Sequence, residues 1–299
     1  MDNLTELYCL VDDFYKAFEP ELTARALANG ERQGRKRKGG LSVPELMTLV
    51  VLFHEIRYRQ FKAFYLNHVC RHLRNEFPKL PGYPRCVELM PRCAVALAAL
   101  LEKLQGQCSG LSIADSTPVV VSRNIRIPRN RVFRGLAARG KNSVGWFYGF
   151  KLHLVVNHLG ELIRVKLTPG NVDDRKPLSD YADGLFGRLY GDKGYLAKWL
   201  TESLKKLGID LVTKVRKNMK PVLHSAFDEA LLCQRSLVET VIDELKNLCQ
   251  IEHTRHRSPI NFTVNLLAGL IAYCLMPNKP RLPLGEARQL LHKSPPMTN

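Results

Sequence analysis

Several patterns that would point to common activities are missing from this sequence of 299 residues. None of its eight cysteines forms a Cys-x-x-Cys pair, so neither a paired zinc site nor a disulfide framework is indicated. We expect reduced, buried thiols of the kind found in cytoplasmic proteins. The sequence also has no Walker loop, dinucleotide fingerprint or Gly-x-Ser-x-Gly elbow. This disfavours P-loop nucleotide hydrolysis and serine esterase chemistry.

Long apolar stretches are missing as well. The longest one, residues 262–275, is too short to cross a bilayer and is typical of a buried helix. Residues 1–18 are acidic and amphipathic, which is unlike a signal peptide. We therefore expect a soluble cytoplasmic protein with no membrane partner.

Acidic residues are scarce relative to basic ones. Lysine and arginine total 45 against 28 acids, which gives a formal net charge of +17. Such an excess favours a polyanionic partner, because each phosphate that a protein neutralises releases condensed counterion. Nucleic acid is the first interpretation of this charge, and an anionic membrane surface or a ribosomal partner is the alternative.

The first part of the chain, residues 1–108, is predicted to be nearly all helical. Leucines and other apolar residues recur at three- and four-residue steps in 3–28, and Ser42 with Glu45 predicts a capped helix start. A further long helix is expected near 86–106. This region is expected to bind DNA ends as a helix-turn-helix would, with a plain helical cap as the alternative. The basic run 31–40 is either a charged linker or an arm that contacts phosphates.

From residue 109 the apolar period changes. A short strand is expected to end at Asp115, followed by an irregular basic loop over 121–142. Two strands then flank a turn at 158–160, and helices alternate with strands until a long helix near 227–250. This order predicts a mixed α/β sheet with flanking helices, the order that the ribonuclease H-like fold uses. We expect a catalytic domain over 109–275 and a basic tail over 276–299.

Three acids fall where such a fold would bring side chains together. Asp115 follows the first strand, Asp192 lies in a turn flanked by Gly191 and Gly194, and Glu239 lies on the last long helix. Phosphodiester chemistry uses two hard cations about 4 Å apart, and Mg²⁺ prefers carboxylate and water oxygens. The three acids together predict a metal site, although each one alone has an ordinary explanation such as a turn, a cap or a surface ion pair.

Glu239 shares one helix face with two cations. Arg235 lies one turn before it and Lys246 two turns after it, and all three fall within about 40° on a 3.6-residue period. One interpretation is an exposed salt-bridge face. The other is a metal ligand flanked by contacts to DNA phosphates. Asp243, on the same helix, is the best substitute ligand.

Other polar residues are weaker candidates for metal ligands. Asp173 and Asp174 open a helix and are expected to serve its N-terminus, with a metal-ligand role as the lesser alternative. The spacing of Cys249, His253 and His256 gives only a weak zinc signal.

Two further segments could touch nucleic acid. Residues 253–259 are expected to form a turn that contacts DNA, with an exposed basic loop as the alternative. Trp146 and the two aromatic residues after it are expected in the core. The alternative is that they stack on a flipped or unpaired base.

The chain resembles bacterial insertion-sequence transposases of the Asp-Asp-Glu type. The segments that carry the resemblance are IADSTPV, WFYGFKLHLVVNHLGELIRVKLTPGNVDDR, YGDKGY, RSLVETVIDELK and HTRHRSP. In that family an Arg, a Glu four residues later and a Lys seven further on form a signature helix, which Arg235, Glu239 and Lys246 match. The family often has a Tyr three residues before the Arg, and this chain has Leu232 there.

The resemblance implies cleavage at transposon ends and transfer of a 3′-hydroxyl strand into target DNA. Asp115, Asp192 and Glu239 would be catalytic and would hold two Mg²⁺ or Mn²⁺ ions. The partners would be terminal inverted repeats and target DNA, bound by a homodimer in a synaptic complex associated with the nucleoid. The residues expected to contact DNA are Arg235, Lys246, Lys193, His253, Arg255 and Arg257. A nuclease of the same fold without strand transfer, or a non-catalytic DNA-binding regulator, remains the alternative.

Overall fold

A computed structural model describes residues 4–30, 40–214, 219, 224–252 and 256–282. The chain divides into two compact units. The helical unit comprises residues 1–104 and 244–277, and the sheet unit comprises 105–243 and 278–299. The division into an end-binding region, a catalytic domain and a tail is a statement about function, and it stays a prediction.

Eleven α-helices and six strands run through the described residues. The helices are α1 (Leu4–Ala28), α2 (Val43–Glu55), α3 (Phe61–Phe64), α4 (Cys70–His72), α5 (Tyr83–Leu89), α6 (Ala94–Leu104), α7 (Arg175–Tyr181), α8 (Lys198–Lys206), α9 (Ala226–Cys233), α10 (Ser236–Asn247) and α11 (Pro259–Leu275). The strands are β1 (Leu111–Ser122), β2 (Ala138–Lys141), β3 (Trp146–Asn157), β4 (Leu162–Pro169), β5 (Gly187–Gly191) and β6 (Ile209–Thr213). A π-helix at Tyr65–Val69 and short 3₁₀ segments join some of them.

The predicted helical N-terminal region is confirmed. The capping box at the start of α2 is present: the Ser42 hydroxyl accepts a bond from the Glu45 N–H, and the Glu45 carboxylate accepts one from the Ser42 N–H. Helix α2 is buried over nearly its whole length, whereas α11 is continuously buried over residues 268–273 and only at intervals before them. In the part of the chain that the structure describes, no helix is long and apolar enough to cross a membrane.

Two long helices predicted from the sequence are each interrupted. The helix expected near 86–106 changes to a 3₁₀ turn at Met90–Cys93, where Pro91 lacks the N–H that an α-helix needs. The helix expected near 227–250 is divided into α9 and α10, and tight i to i+3 bonds from Leu237 and Val238 close the turn between them. Arg235 therefore lies at a junction between helices.

The sheet unit has the predicted mixed α/β architecture with flanking helices. Its strand order is β2-β3-β1-β5-β6, and β4 pairs with the remaining length of β3. Strands β3 and β4 run antiparallel to their neighbours, whereas β5 and β6 run parallel to β1. This confirms the ribonuclease H-like order. The loop predicted over 121–142 contains strand β2, which pairs with the start of β3, so that prediction was wrong for Ala138–Lys141.

One apolar core holds the helices against the sheet. Strand residues Ala114, Val155 and Leu189 pack with Leu178 of α7 and Leu200 of α8, and all five side chains are buried. Because the helices cover this face, β1 and β5 are fixed side by side with little freedom to slip. The ends of these two strands can therefore position polar side chains to within a narrow range.

Candidate active site

Asp115 lies inside β1 and not at its end. The strand continues to Ser122, and Asp115 pairs with Leu154 of β3. The sequence prediction that the strand stops at Asp115 was therefore wrong, because the β-branched run 119–121 extends the ladder with β3. The side chain is largely buried, and its Oδ1 accepts a bond from the N–H of Ser116 at 2.8 Å.

Asp192 follows directly after β5, as predicted. It begins the 3₁₀ turn at Lys193–Tyr195 and has an extended backbone. Strands β1 and β5 are parallel, with Ile113 opposite Tyr190. Asp115 and Asp192 each lie two residues beyond that pair and thus point to the same side of the sheet. The register therefore brings these two acids next to each other.

Glu239 reaches the same place from α10. The guanidinium of Arg235 connects it to the two strand acids: its nitrogens lie 3.1 Å from Glu239 Oε1, 3.6 Å from Asp115 Oδ2 and 3.9 Å from Asp192 Oδ1. Three acids from three separate elements thus share one cation. The one-turn spacing of Arg235 and Glu239 predicted their contact, but nothing in the sequence predicted that the same guanidinium would reach both strands.

The electrostatics of the cluster are dominated by the burial of Asp115. The pKa of Asp115 is raised to about 6, chiefly by burial and to a lesser extent by the negative charges of Asp192 and Glu239. The Ser116 N–H and the Arg235 guanidinium act in the opposite direction and lower this pKa. The net upward shift means that the buried carboxylate is undercompensated by its present partners. More positive charge beside it would therefore be stabilising.

The donor set fits a hard divalent cation in its chemistry. All three candidate ligands are carboxylates, which Mg²⁺ and Mn²⁺ prefer. Among residues 4–30, 40–214, 224–252 and 256–282, no three His, Cys, Asp or Glu side chains are arranged closely enough to hold an ion as they stand. The guanidinium of Arg235 takes the position of a shared cation instead. Ion binding would require the carboxylates to close in as this guanidinium withdraws.

The residues predicted to contact DNA differ in exposure and in ion pairing. Lys193 and Arg257 are exposed, whereas Lys246 forms an ion pair with Glu252 at 3.1 Å. His253 and Arg255 lie outside the described residues. Leu232, at the position where the family often has tyrosine, is buried in α9.

The other acids considered from the sequence have partners of their own. Asp173 accepts bonds from the guanidinium and the backbone N–H of Arg175, and Asp174 forms an ion pair with Lys151 at 3.0 Å. These contacts at the start of α7 account for both acids without a metal. Asp243 lies one turn beyond Glu239 on α10, and its role as a substitute ligand stays a prediction.

A buried network that the sequence did not predict lies in the same unit. Asp228 of α9 accepts bonds from Arg188 at 2.8 Å, from the Tyr190 hydroxyl at 2.7 Å and from the Ser225 hydroxyl at 2.6 Å. Arg188 and Tyr190 belong to β5, the strand that leads to Asp192. The network thus fixes α9 to this strand. No local pattern could have paired residues about forty positions apart.

Comparison with known proteins gives three results. No curated protein matches this chain. Among solved structures, the chain is similar to the cryo-EM structure of the piggyBac transposase synaptic complex with hairpin DNA, with a TM-score of 0.49, 10% sequence identity, and coverage of 97% of this chain and 79% of that one. Residues 105–259 match the family model described as Transposase DDE domain. Because this match spans more than half of the sequence, the chain belongs to the Transposase DDE domain family.

Proposed function

We propose that this protein cleaves transposon ends and transfers the resulting 3′-hydroxyl strand into target DNA by two-metal-ion chemistry. Asp115, Asp192 and Glu239 are the metal ligands, and the ions are Mg²⁺ or Mn²⁺. The observation that carries the proposal is the single guanidinium shared by these three acids. Acids that repel one another are held together here by β1, β5 and α10 with one cation between them.

The chemistry requires positioning more than proton transfer. When bound, the ions stabilise the charge that develops on the phosphate and activate the attacking oxygen. Asp115 and Asp192 hold fixed positions because their strands are paired side by side in the core. Glu239 supplies the third oxygen donor from a helix. Water attacks first, and the freed 3′-hydroxyl attacks next at the same site.

The residues assigned to DNA phosphates differ in how available they are. Lys193 and Arg257 are exposed. Arg235 and Lys246 already balance carboxylates, so a contact with DNA requires each of them to exchange partners. The remaining assignments to DNA are His253 and Arg255. We further propose that residues 1–108 bind the terminal inverted repeats and that two chains hold the two ends in a synaptic complex.

The test is a cleavage and joining assay on DNA that contains the element's ends. Wild-type protein with Mg²⁺ should give cleaved and joined products, and chelation should abolish both. Asp115→Ala, Asp192→Ala and Glu239→Ala should each reduce the amount of product by on the order of a hundredfold or more. This is a larger loss than is usual for removing a residue that only orients a metal ligand. Asp243→Ala is the matched control on the same helix and should retain activity.

Other outcomes favour the alternatives. Cleavage without joined product supports a nuclease of the same fold. DNA binding with no product from wild type supports a non-catalytic regulator. Product from all three alanine variants would exclude the proposed ligand set. Loss of product in Asp243→Ala with activity retained in Glu239→Ala would move the third ligand to Asp243.

A further inference from the structure

The longest stretch without an acid lies between Asp115 and Glu161. Its first part, residues 116–150, is called the basic arm below. The basic arm contains the second half of β1, the 3₁₀ turn at Asn124–Arg129, strand β2 and the start of β3. It carries seven cations and no compensating acid: Arg123, Arg126, Arg129, Arg131, Arg134, Arg139 and Lys141.

These cations are free of ion pairs and point into solvent. All seven are exposed, and within the described residues none of them forms a salt bridge with Asp or Glu. Like charges at this density repel one another, and this repulsion lowers the stability of the isolated protein. A surface of this kind is stabilised by a polyanion that neutralises several charges at once.

The basic arm is anchored on the sheet by contacts of Phe133. Phe133 is buried, with its ring edge-on to Phe150 of β3 at 5.8 Å between centroids. The Tyr148 hydroxyl donates to the Phe133 carbonyl at 3.3 Å, and the Asn130 side chain accepts from the Phe133 N–H at 3.2 Å. These contacts anchor the arginine-rich segment on the sheet, so its charges have a defined arrangement.

An exposed aromatic lies at the end of the arm. Trp146 is 53% exposed, and the cationic groups of Arg139 and Lys141 lie over its ring at 4.8 Å and 5.6 Å from the centroid. In the turn beside it, Val144 is 92% exposed. The sequence favoured a core position for Trp146, and the structure does not place it there. A half-exposed tryptophan between two cations suits packing against a sugar-phosphate backbone or a base.

The arm has a fixed reach from the acids. Asp115 is opposite Leu154 of β3, and Trp146 lies eight residues before Leu154 on the same strand. At about 3.3 Å per residue this is about 26 Å. A duplex rises about 3.4 Å per base pair, so the same span corresponds to about eight base pairs.

We propose that the basic arm is a DNA-binding surface of the sheet unit, with its arginines on phosphates and Trp146 packed against the DNA about eight base pairs from the strand under attack. This rests on the proposed function, because DNA must be the substrate. Duplex DNA is the partner that the observations favour over an acidic protein, since its phosphates can neutralise several of these cations at once and the exposed Trp146 ring beside them can pack against a sugar or a base.

The chain offers a direct test, because it has two tryptophans, both in the sheet unit. Trp199→Phe leaves Trp146 as the single fluorophore, and Trp146→Phe leaves Trp199, which is similarly exposed, as a matched control. Each variant is titrated with a mixed-sequence 30-base-pair duplex, and binding is followed independently by gel shift. On binding, Trp146 should lose fluorescence intensity and become protected from iodide quenching, whereas Trp199 should change little.

A second measurement tests the arginines. Arg126→Ala/Arg129→Ala/Arg131→Ala removes three exposed cations from the arm, and Lys198→Ala/Lys205→Ala/Lys206→Ala removes three from α8. The arm variant should reduce the slope of log affinity against log salt by about 2.7, at about 0.9 per phosphate contact. The α8 variant should change this slope by less than about 1.

The outcomes separate this inference from the proposed function. If wild type binds DNA while the Trp146 signal and the salt slope of the arm variant stay unchanged, the arm is not the DNA surface and the transposase proposal stands. Equal effects from the arm and α8 variants would also overturn the inference. If wild type binds no duplex at all, both proposals fail. A response of Trp146 to an acidic polypeptide but not to DNA would identify the other class of partner and contradict the proposal.

Discussion

Both units bury a neutral histidine, but among the described residues only the sheet unit also buries an acid, Asp228. In the helical unit the deeply buried polar side chains are neutral: His54 is 1% exposed, and burial lowers its pKa to about 4 although the Cys249 and Asn265 carbonyls raise it. His256 has a pKa lowered to about 4 by burial as well. The Nδ1 of His54 bonds to the Cys249 carbonyl, which satisfies one side of the ring without any charge.

The sheet unit encloses a similar histidine, His153, whose pKa burial lowers to about 4, and in addition it encloses charges that need partners. Asp228 is buried with Arg188 as its counterion, and Asp115 is held beside Arg235. Charge is costly to bury and is retained where it has a use. The buried acid is thus specific to the unit that holds the candidate site, and this unit gives up stability to keep charge in its interior.

The largest stability effect is expected at Asp228. Asp228→Ala leaves Arg188 and the Tyr190 hydroxyl without their shared acceptor and should lower the free energy of unfolding by about 2–4 kcal/mol, discounted for the partial exposure of Arg188. Urea unfolding followed by tryptophan fluorescence measures this, because both tryptophans lie in the sheet unit.

The matched control for Asp228 is a surface pair of the same unit. Asp180 forms an ion pair with Lys166 at 2.8 Å and is 64% exposed at its side chain. Asp180→Ala should cost less than about 1 kcal/mol. Equal losses for the two variants would contradict the view that this unit depends on buried charge pairs.

Acid should destabilise both units through buried neutral histidines, since His54 in the helical unit and His153 in the sheet unit both have pKa values lowered by burial. The pKa of His54 is about 4 in the folded chain against an ordinary value of 6.5. The stabilisation that depends on neutral His54 is therefore complete above pH 6.5 and is lost as pH falls towards 4, at about 1.4 kcal/mol per pH unit. The total loss should be about 2–3 kcal/mol at pH 4.

Far-UV circular dichroism, which reports both units, should therefore lose signal over this pH range. His54→Asn keeps a donor near the position of Nδ1 and cannot be protonated, so it should flatten the acid limb of the dichroism curve. Wild type and variant are compared by the slope of the dichroism signal against pH and not by absolute stability, because the smaller Asn side chain also loses packing contacts. A variant with the wild-type slope would remove His54 as the cause.

Asp115 should have the opposite dependence on pH. Its folded pKa is raised from 3.8 to about 6, so its contribution to stability is fully present below pH 3.8 and is lost as pH rises through 6. Asp115→Asn should therefore stabilise the metal-free protein by about 1–2 kcal/mol at pH 7.5 and by little at pH 4.5. Thermal unfolding in chelator at the two pH values tests this. Addition of Mg²⁺ should stabilise wild type but not the variant.

The smallest effect is expected from Arg235 in the absence of metal. Arg235→Ala removes the cation shared by three acids and should cost about 1 kcal/mol in chelator, because two of those acids are largely exposed. In Mg²⁺ this difference should shrink. Arg85→Ala, which breaks an exposed pair with Glu88 in the helical unit, is the control and should show no dependence on Mg²⁺. A cost for Arg235→Ala that is the same with and without Mg²⁺ would mean that its guanidinium does not stand in for a metal.

Local sequence signals predicted much of the fold. The capping box at Ser42, the buried helix α11 and the alternating strands β3 and β4 were each visible, because a helix start or a strand face depends on residues a few positions apart. The breaks at Met90–Cys93 and between α9 and α10, and the strand β2, were not predicted. These features are stabilised by contacts with residues that are distant in sequence, which local patterns do not reveal.

The candidate site shows the same limit. Asp192 could be singled out from the glycines around it, and Glu239 from its helix face. The continuation of β1 past Asp115 could not, because it depends on pairing with β3. The position of Trp146 at the end of a basic arm was missed for the same reason, since exposure is a property of the folded chain.

The sequence by itself determined the excess of positive charge, the order of strands and helices, and which three acids stand at the ends or faces of those elements. These are consequences of composition and of periods two and 3.6, which the chain carries locally. Only the tertiary structure decided that one guanidinium meets all three acids, and that the seven cations of the basic arm are exposed and have no ion pair within the described residues. Those arrangements need the strand register and helix packing to join residues more than a hundred positions apart.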